Sequence, residues 1–312
     1  MKVLITGNCG FIGFNLSSFL LKKGFSVIGI DNINDYYDIK VKYKRLKNLK
    51  INKRFKFFKC DLSDNNKIKK IFKKNKFDYV INLAAQAGVR YSIDNPRKYI
   101  NSNTNGFFNI LENCRLKSIN NILFASSSTV YGDKQKFPIK ESDTLNPKNF
   151  YGLTKKNNEE MANIYSNLYK MNICGLRFFT VYGEWGRPDM FMLKYINAQK
   201  KFNLYNKGDH HRDFTYIKDV NEIILKILKK KPKGFNVFNI CSNNPIKITA
   251  VIKIINKYLN KKKVRINKMG LQRADVIKTH GENRKIKKII KFKNFTPIEK
   301  GIKSLIQWYK QN

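Results

Sequence analysis

Met1-Lys-Val-Leu-Ile-Thr-Gly7-Asn-Cys-Gly10-Phe-Ile-Gly13 is the stretch whose reading decides the fold of this chain. The short apolar run ending at Thr6 reads as a β-strand and the three glycines as a tight turn. Residues 14–23 have helical spacing, and Gly24 ends that helix. Glycines at this spacing let the chain turn sharply, let backbone approach a pyrophosphate, and let the helix pack closely. The helix N-terminus then offers N–H groups to phosphate oxygens. Residues 25–30 form a second apolar strand that ends at Asp31. A carboxylate about twenty residues past such a turn accepts from both ribose hydroxyls and repels a 2′-phosphate, which predicts NAD rather than NADP. Gly7, Gly10, Phe11, Ile12, Gly13 and Asp31 are therefore candidate cofactor positions.

The alternation continues outward from there. Strands are expected over residues 55–60, 79–83, 121–125 and 173–178, and helices over 65–74, 104–115, 155–169 and 220–230. Strands alternating with helices imply right-handed βαβ units and a parallel sheet with helices on both faces. The expected class is α/β: a Rossmann-type doubly wound parallel sheet with a smaller, discontinuous C-terminal substrate domain. Residues 1–175, with about 213–240, form the expected NAD-binding domain. Residues of about 176–212 and 241–312 form the expected substrate domain. Asp61 and Leu62 end the third strand, where an adenine ring would lie.

Composition narrows the class. The 312 residues are 42% hydrophobic, enough for a sizeable core. No apolar run has the ~18 residues of a transmembrane helix, and the first residues lead directly into a strand rather than a signal peptide. Cys9, Cys60, Cys114, Cys174 and Cys241 are scattered, without a C-x-x-C, which reads as buried free thiols in a reducing cytoplasm. His210, His211 and His280 form no metal-like ligand set; surface or loop positions are expected for them, and no metal is predicted. The formal charge of +41 is nearly all lysine and is spread along the whole chain. It implies non-specific attraction to polyanions but no shaped nucleic-acid site. The run at 226–233 reads as a solvated helix end.

Tyr151 and Lys155 stand four residues apart in Tyr-Gly-Leu-Thr-Lys, on one helix face. An ammonium beside a phenol stabilises the phenolate and lowers its pKa, making a base for an alcohol proton. The run Ser126-Ser127-Ser128 lies upstream, at the end of one expected strand. A hydroxyl there would hold the reacting oxygen. Counting does not separate Ser127 from Ser128. Together with the glycine turn, these residues point to oxidation of a hydroxyl by a nicotinamide cofactor.

The glycine spacing, Tyr-x-x-x-Lys and the serines resemble the extended short-chain dehydrogenase/reductase family over essentially the whole chain. Longer stretches are similar to its UDP-glucuronate 4-epimerase branch. They are Asp31-Asn-Ile-Asn-Asp-Tyr-Tyr-Asp38, Ala84-Ala-Gln-Ala-Gly-Val-Arg-Tyr-Ser92, Leu176-Arg-Phe-Phe-Thr-Val-Tyr-Gly183, Trp185-Gly-Arg-Pro-Asp-Met190 and Arg212-Asp-Phe-Thr-Tyr-Ile217. The resemblance implies a UDP-sugar substrate, retained NAD, and a redox cycle through a 4-keto sugar that inverts C4. It assigns Tyr151 as base, Lys155 as its partner, and Ser127 or Ser128 to the C4 oxygen. To the cofactor it adds Asn32, Asp61, Leu62, Leu83, Ala84, Ala85, Gln86, Ser102 and Phe179, besides Tyr151 and Lys155. To the substrate it assigns Arg90, Thr180, Arg187, Arg212, Gln272 and Asp275. It implies a homodimer, paired through the helices near 104–115 and 155–169.

Departures from the pattern refine this reading. Thr129 stands where related decarboxylases carry a glutamate, which argues against loss of CO2. Thr180 replaces an asparagine of UDP-galactose 4-epimerases, and its hydroxyl could hold a uronate carboxylate. Glu184, His211 and Asn82 replace a proline, an arginine and a histidine. Gln272-Arg-Ala-Asp-Val276 lacks the usual Pro-Gly, which puts the Asp275 turn in question. The alternatives are another enzyme on this scaffold (a different UDP-uronate epimerase, a decarboxylase or a dehydratase), a non-catalytic NAD-binding protein, and a polyanion binder.

Overall fold

A computed structural model describes residues 1–260, 264–272 and 275–312. The first half runs β1 (Lys2–Thr6), α1 (Phe11–Lys22), β2 (Ser26–Asp31), α2 (Ile39–Lys50), β3 (Phe55–Lys59), α3 (Asn65–Lys74), β4 (Tyr79–Asn82), the single turns α4 (Tyr91–Asp94) and α5 (Pro96–Tyr99), a π-helical segment (Ile100–Asn105), α6 (Gly106–Leu116) and β5 (Asn121–Ser127). It continues with α7 (Phe150–Tyr169), β6 (Asn172–Phe178), β7 (Thr180–Tyr182), α8 (Phe191–Asn197), β8 (Lys201–Leu204), β9 (His211–Tyr216), α9 (Ile217–Lys230) and β10 (Phe235–Ile240). The last elements are β11 (Pro245–Lys247), α10 (Ile248–Leu259), β12 (Arg265–Lys268), α11 (Arg284–Ile290) and α12 (Ile298–Gln311).

Seven strands form one sheet in the order β10-β6-β5-β4-β1-β2-β3. Every neighbouring pair is parallel. The strand order reverses between β1 and β4, and such a switch point opens a crevice at the carboxyl ends of the strands. Alternation along β1 sends Val3 and Ile5 into one apolar layer and Leu4 into the other. Both faces of the sheet are therefore covered, as parallel sheets require. Two small sheets, β11-β9-β7 and β12-β8, lie in the C-terminal half. β9 pairs with β7 and β11 rather than with the large sheet, although the expected cofactor domain included residues from 213. Among the described residues no helix is long and apolar enough to cross a membrane.

Three differences from the sequence reading matter for the site. Helix α2 was not anticipated. Leu46 and Leu49 are its buried apolar residues, and Lys42 and Arg45 are buried beside them, so it has almost no apolar stripe to read. Asp38 caps it through Lys40 N at 2.9 Å. Helix α7 starts at Phe150 rather than 155, because Asn149 accepts from Gly152 N at 2.8 Å and caps it. The π-helical segment leads into α6 and begins four residues before the expected helix start at 104, and such segments cluster at functional sites.

Candidate active site

The glycine turn is built for close approach. Gly7 has φ 71°, and a Cβ there would lie 2.8 Å from Ala84 N. A Cβ on Gly13 would overlap the Gly7 carbonyl. No side chain caps α1 at Gly10, and first-turn N–H groups have no partners inside a helix. Every position expected to hold the cofactor, from Gly7 to Phe179, lines one cleft at the switch point. Asn34, Tyr36, Tyr37, Lys42 and Met190 also line it and were missed as individual ligands. Four of the five lie in or just after the quoted Asp31–Asp38 stretch, which was the available signal.

Asp31 is buried, and burial pushes its carboxyl upward despite N–H groups donated by Ile33 and Cys9 at 2.8 and 3.0 Å. A carboxylate has about four acceptor sites, so capacity remains for two ribose hydroxyls. Asp61 accepts from Asn32 Nδ2 at 2.7 Å. Burial would raise its carboxyl, but this bond and those from Ser63 hold it below the usual range. These residues fit an adenosine ribose. The glycine cradle fits a pyrophosphate.

At the other end of the cleft, Tyr151 occupies the first turn of α7 and Lys155 the second. Lys155 Nζ donates to Ala125 O at 2.8 Å and lies 5.8 Å from the Tyr151 ring centroid. Burial lowers the Lys155 ammonium to about 8, with Glu159 partly opposing. The phenol departs from the sequence expectation. Desolvation raises the Tyr151 pKa, and the Ser127 hydroxyl and Arg187 pull it down only in part. The ammonium is turned to a carbonyl, so it does not by itself deliver the expected lowering. Between the two serines the placement is unequal. Ser127 lines the cleft and its hydroxyl helps to lower the Tyr151 phenol, whereas Ser128 opens a short 3₁₀ turn outside the lining. Thr129 donates to Ser127 Oγ from its hydroxyl at 3.0 Å and from its N–H at 3.2 Å.

A buried polar frame stands behind these groups. Ser126 donates to Glu159, which is paired with Arg177 through Nε at 2.9 Å and Nη2 at 2.7 Å. Arg177 Nη1 continues to the Tyr131 hydroxyl at 2.7 Å, and Tyr131 to Asn239 at 2.7 Å. Asn103, in the π-helical segment, accepts from Gln86 N at 2.7 Å and donates to Thr154 Oγ1 at 3.1 Å. Thr154 donates to Tyr151 O at 2.8 Å. Apart from Ser126 and Gln86, none of these frame residues was anticipated as part of the site, because each has a partner distant in sequence.

The expected substrate ligands fall into two groups. Arg187 lines the cleft, is clamped bidentately by Asp189 at 3.0 and 2.6 Å, and lies over the Tyr36 ring at 5.4 Å. Burial works against its charge, and Asp189 more than offsets that. Thr180 borders a small adjoining cavity that shares Phe11, Val181, Arg187 and Met190 with the cleft. The second group lies outside the cleft lining. Arg90 is paired with Asp275 at 2.6 and 3.3 Å and stacks on Tyr205 at 4.0 Å. Arg212 donates to the carbonyls of Val276, Ile277 and His211 at 2.6–3.0 Å. Burial brings it down to about 10, opposed by Asp275 and reinforced by Arg90. Gln272 O accepts from Asp275 N at 3.0 Å. Arg273 and Ala274, where the usual Pro-Gly is missing, lie outside the described residues.

His210 lies in a loop, as expected, but is buried there, and desolvation followed by Arg212 lowers its pKa, whereas His211 opens β9 rather than a loop. All five cysteines are buried and free. Among the described residues no group of three His, Cys, Asp or Glu could hold a metal ion.

The chain has extensive relatives. A family model described as GDP-mannose 4,6 dehydratase matches residues 4–305. Protein CapI of Staphylococcus aureus is 42% identical over 99% of this chain and 98% of that protein. A UDP-glucuronate 4-epimerase of Thermodesulfobacterium geofontis (strain OPF15) is 38% identical over 99% and 96%. Among solved structures, UDP-glucuronic acid 4-epimerase from Bacillus cereus, in complex with UDP-glucuronic acid and NAD, superposes with a TM-score of 0.93. That pair is 28% identical and covers 100% of this chain and 99% of the other. A family match across nearly the full length, on a glycine-cradled cleft that also holds Tyr151, Lys155 and Ser127, means that the chain belongs to the nucleotide-sugar family described by the GDP-mannose 4,6 dehydratase model, within the extended short-chain dehydrogenase/reductases.

Proposed function

We propose that this protein is an NAD-dependent UDP-sugar 4-epimerase that interconverts UDP-glucuronate and UDP-galacturonate. The observation that carries the reading is one cleft joining the glycine cradle and Asp31 to Tyr151, Lys155, Ser127 and Arg187. Relatives that bear the UDP-glucuronate 4-epimerase name support the substrate.

Asp31 would hold the adenosine ribose, the Gly7–Gly13 turn the pyrophosphate, and Lys155 the nicotinamide ribose. Bound there, NAD would supply a hydride acceptor and donor for C4. Tyr151 takes the C4 hydroxyl proton and later gives it back, as a general base and then acid. Ser127, aligned by Thr129, donates to the C4 oxygen and stabilises charge that develops there. Burial raises the Tyr151 phenol, and the positive charge of an oxidised nicotinamide held in this cleft would favour its ionised form. Arg187 and Thr180 meet the uronate carboxylate. Thr129, a hydroxyl where a decarboxylase has a carboxylate, favours epimerisation over loss of CO2. Arg90, Arg212, Gln272 and Asp275 serve the uridine diphosphate, which must displace their present partners.

A second copy of the chain is the proposed partner. Phe108 and Leu116 on α6 and Ile164, Leu168 and Tyr169 on α7 are all exposed apolar residues. Pairing of these helices across a two-fold axis would cover them.

The test is incubation of the purified protein with UDP-glucuronate, followed by NMR without added nicotinamide cofactor. UDP-galacturonate at constant carbon count supports the reading. UDP-pentose would instead indicate the decarboxylase. Absence of turnover with NAD supplied would remove the proposed substrate.

A further inference from the structure

Arg45 belongs to none of the groups described above, yet it is fully buried and the largest such side chain among the described residues. Its Nη1 donates to Cys9 O at 2.9 Å and to the Tyr37 hydroxyl at 2.7 Å. Its Nη2 donates to Trp185 O at 2.6 Å and Gly186 O at 3.0 Å. Cys9 lies between the first two glycines of the cofactor turn, and Tyr37 lines the cleft. Trp185 and Gly186 immediately precede Arg187. One guanidinium therefore touches the cofactor turn, the cleft wall and the backbone that carries the substrate-facing arginine.

The arrangement is poor as a pure stability device. Among the described ion pairs none includes Arg45, and its Nε is buried without a partner. Asp31 contacts the same turn, through Cys9 N at 3.0 Å. A buried cation held mainly by carbonyls costs desolvation that an apolar side chain of similar volume would avoid. What the guanidinium supplies is rigidity: its two terminal nitrogens sit in a fixed plane, so the groups they hold keep a fixed separation. The loop it holds needs such a restraint. Trp185 has φ 58°, a left-handed conformation that is unusual for an aromatic residue and persists only where surroundings impose it.

We propose that Arg45 is a positioning residue that sets Arg187 in register with the cofactor turn, so that substrate carboxylate and cofactor meet at a fixed spacing. The substrate part of this statement rests on the reading of Arg187 as the uronate-facing group. Lysine at 45 keeps the charge but is a point donor that cannot bridge both loops.

The experiment uses the NAD-loaded full chain and the variants Arg45→Lys, Tyr37→Phe and Arg187→Met. Arg45→Lys is expected to keep NAD and to bind UDP within about twofold of the parent. It should raise KM for UDP-glucuronate roughly tenfold or more, since small misplacements of a binding group are costly. Amide exchange over residues 183–190 should quicken, and Tyr37→Phe should move it in the same direction by less. Combined with Arg187→Met, the KM effect should be less than additive, because both changes remove one function. Exchange over 183–190 at the parent rate, or fully additive KM effects, would overturn the proposal. A lower Tm with unchanged KM and exchange would leave Arg45 as a packing residue and overturn it too. If the parent itself leaves UDP-glucuronate unchanged, the substrate reading fails, while the exchange measurement still decides the role of Arg45.

Discussion

The two ends of the ligand-binding region differ in what holds them. At the expected cofactor end the recognition elements are mostly backbone, a glycine turn with φ 71° at Gly7 and an uncapped helix start, joined by one short side chain, the Asp31 carboxylate at a strand end. They line an open cleft before any ligand arrives. At the proposed uridine diphosphate end the elements are long charged side chains that already hold partners within the chain. Arg90 is bound to Asp275, and Arg212 to three carbonyls. The first end is preorganised and the second must exchange partners, so substitutions should act differently on the two.

The largest effect is expected where both ends meet. Tyr151→Phe should retain NAD but lower kcat by about 10³-fold, the middle of the range for a lost general base. Rapid-quench assay of the NAD-loaded variant checks this, and a rate within a few-fold of the parent would remove Tyr151 as base. Next, Gly13→Val should abolish retained NAD, because even a Cβ would overlap Gly7 O. Cofactor released on acid denaturation measures it, and full occupancy would show that the cradle is not rigid. By contrast, Arg90→Met should leave NAD content unchanged and weaken UDP binding only about tenfold, the scale of a charged hydrogen bond less its exchanged partner. Calorimetric titration with UDP would sharpen the contrast, and a loss of NAD would break it.

The smallest effect concerns the buried ammonium. Lys155 titrates in the folded chain at about 8, below its ordinary 10.5. Between those values the unfolded chain holds more protons, so stability rises with pH there. Against Lys155→Met, the wild-type protein carries the full cost of a buried charge below about pH 8 and sheds it towards pH 10.5. The difference in Tm between the two should therefore shift in favour of the wild type as pH rises through that window. A constant difference would mean the ammonium is better solvated than its burial indicates.

How legible each part was follows from the range of the interactions involved. The glycine turn, Asp31 and Tyr-x-x-x-Lys could be read because a turn, a strand end and a helix face are set by residues a few positions apart. Gly7, Gly10, Gly13, Asp31, Tyr151 and Lys155 line the cleft for that reason, whereas Leu83, Ser102 and Phe179, which also line it, were reached only through the family resemblance. The start of α7 was missed by five residues because Asn149 was not recognised as its cap. Helix α2 was missed because Lys42 and Arg45 are buried where apolar residues would have marked the inner face.

With 63 lysines and arginines in the chain, nothing local separates a buried cation from a solvated one. Arg45 looks like any other basic residue until α2 packs against the turn at Cys9 and the loop at Trp185. The same holds for Glu159 with Arg177 and for Arg90 with Asp275, whose partners come from separate elements. The sequence by itself determined the fold class, the cofactor cradle and the Tyr151–Lys155 pair, because each depends on short-range chain geometry. The tertiary structure alone decided which serine faces the phenol, which way the Lys155 ammonium points, the direction in which burial moves each pKa, and which cations are committed to the site. Those properties depend on burial and on contacts between residues far apart in the chain.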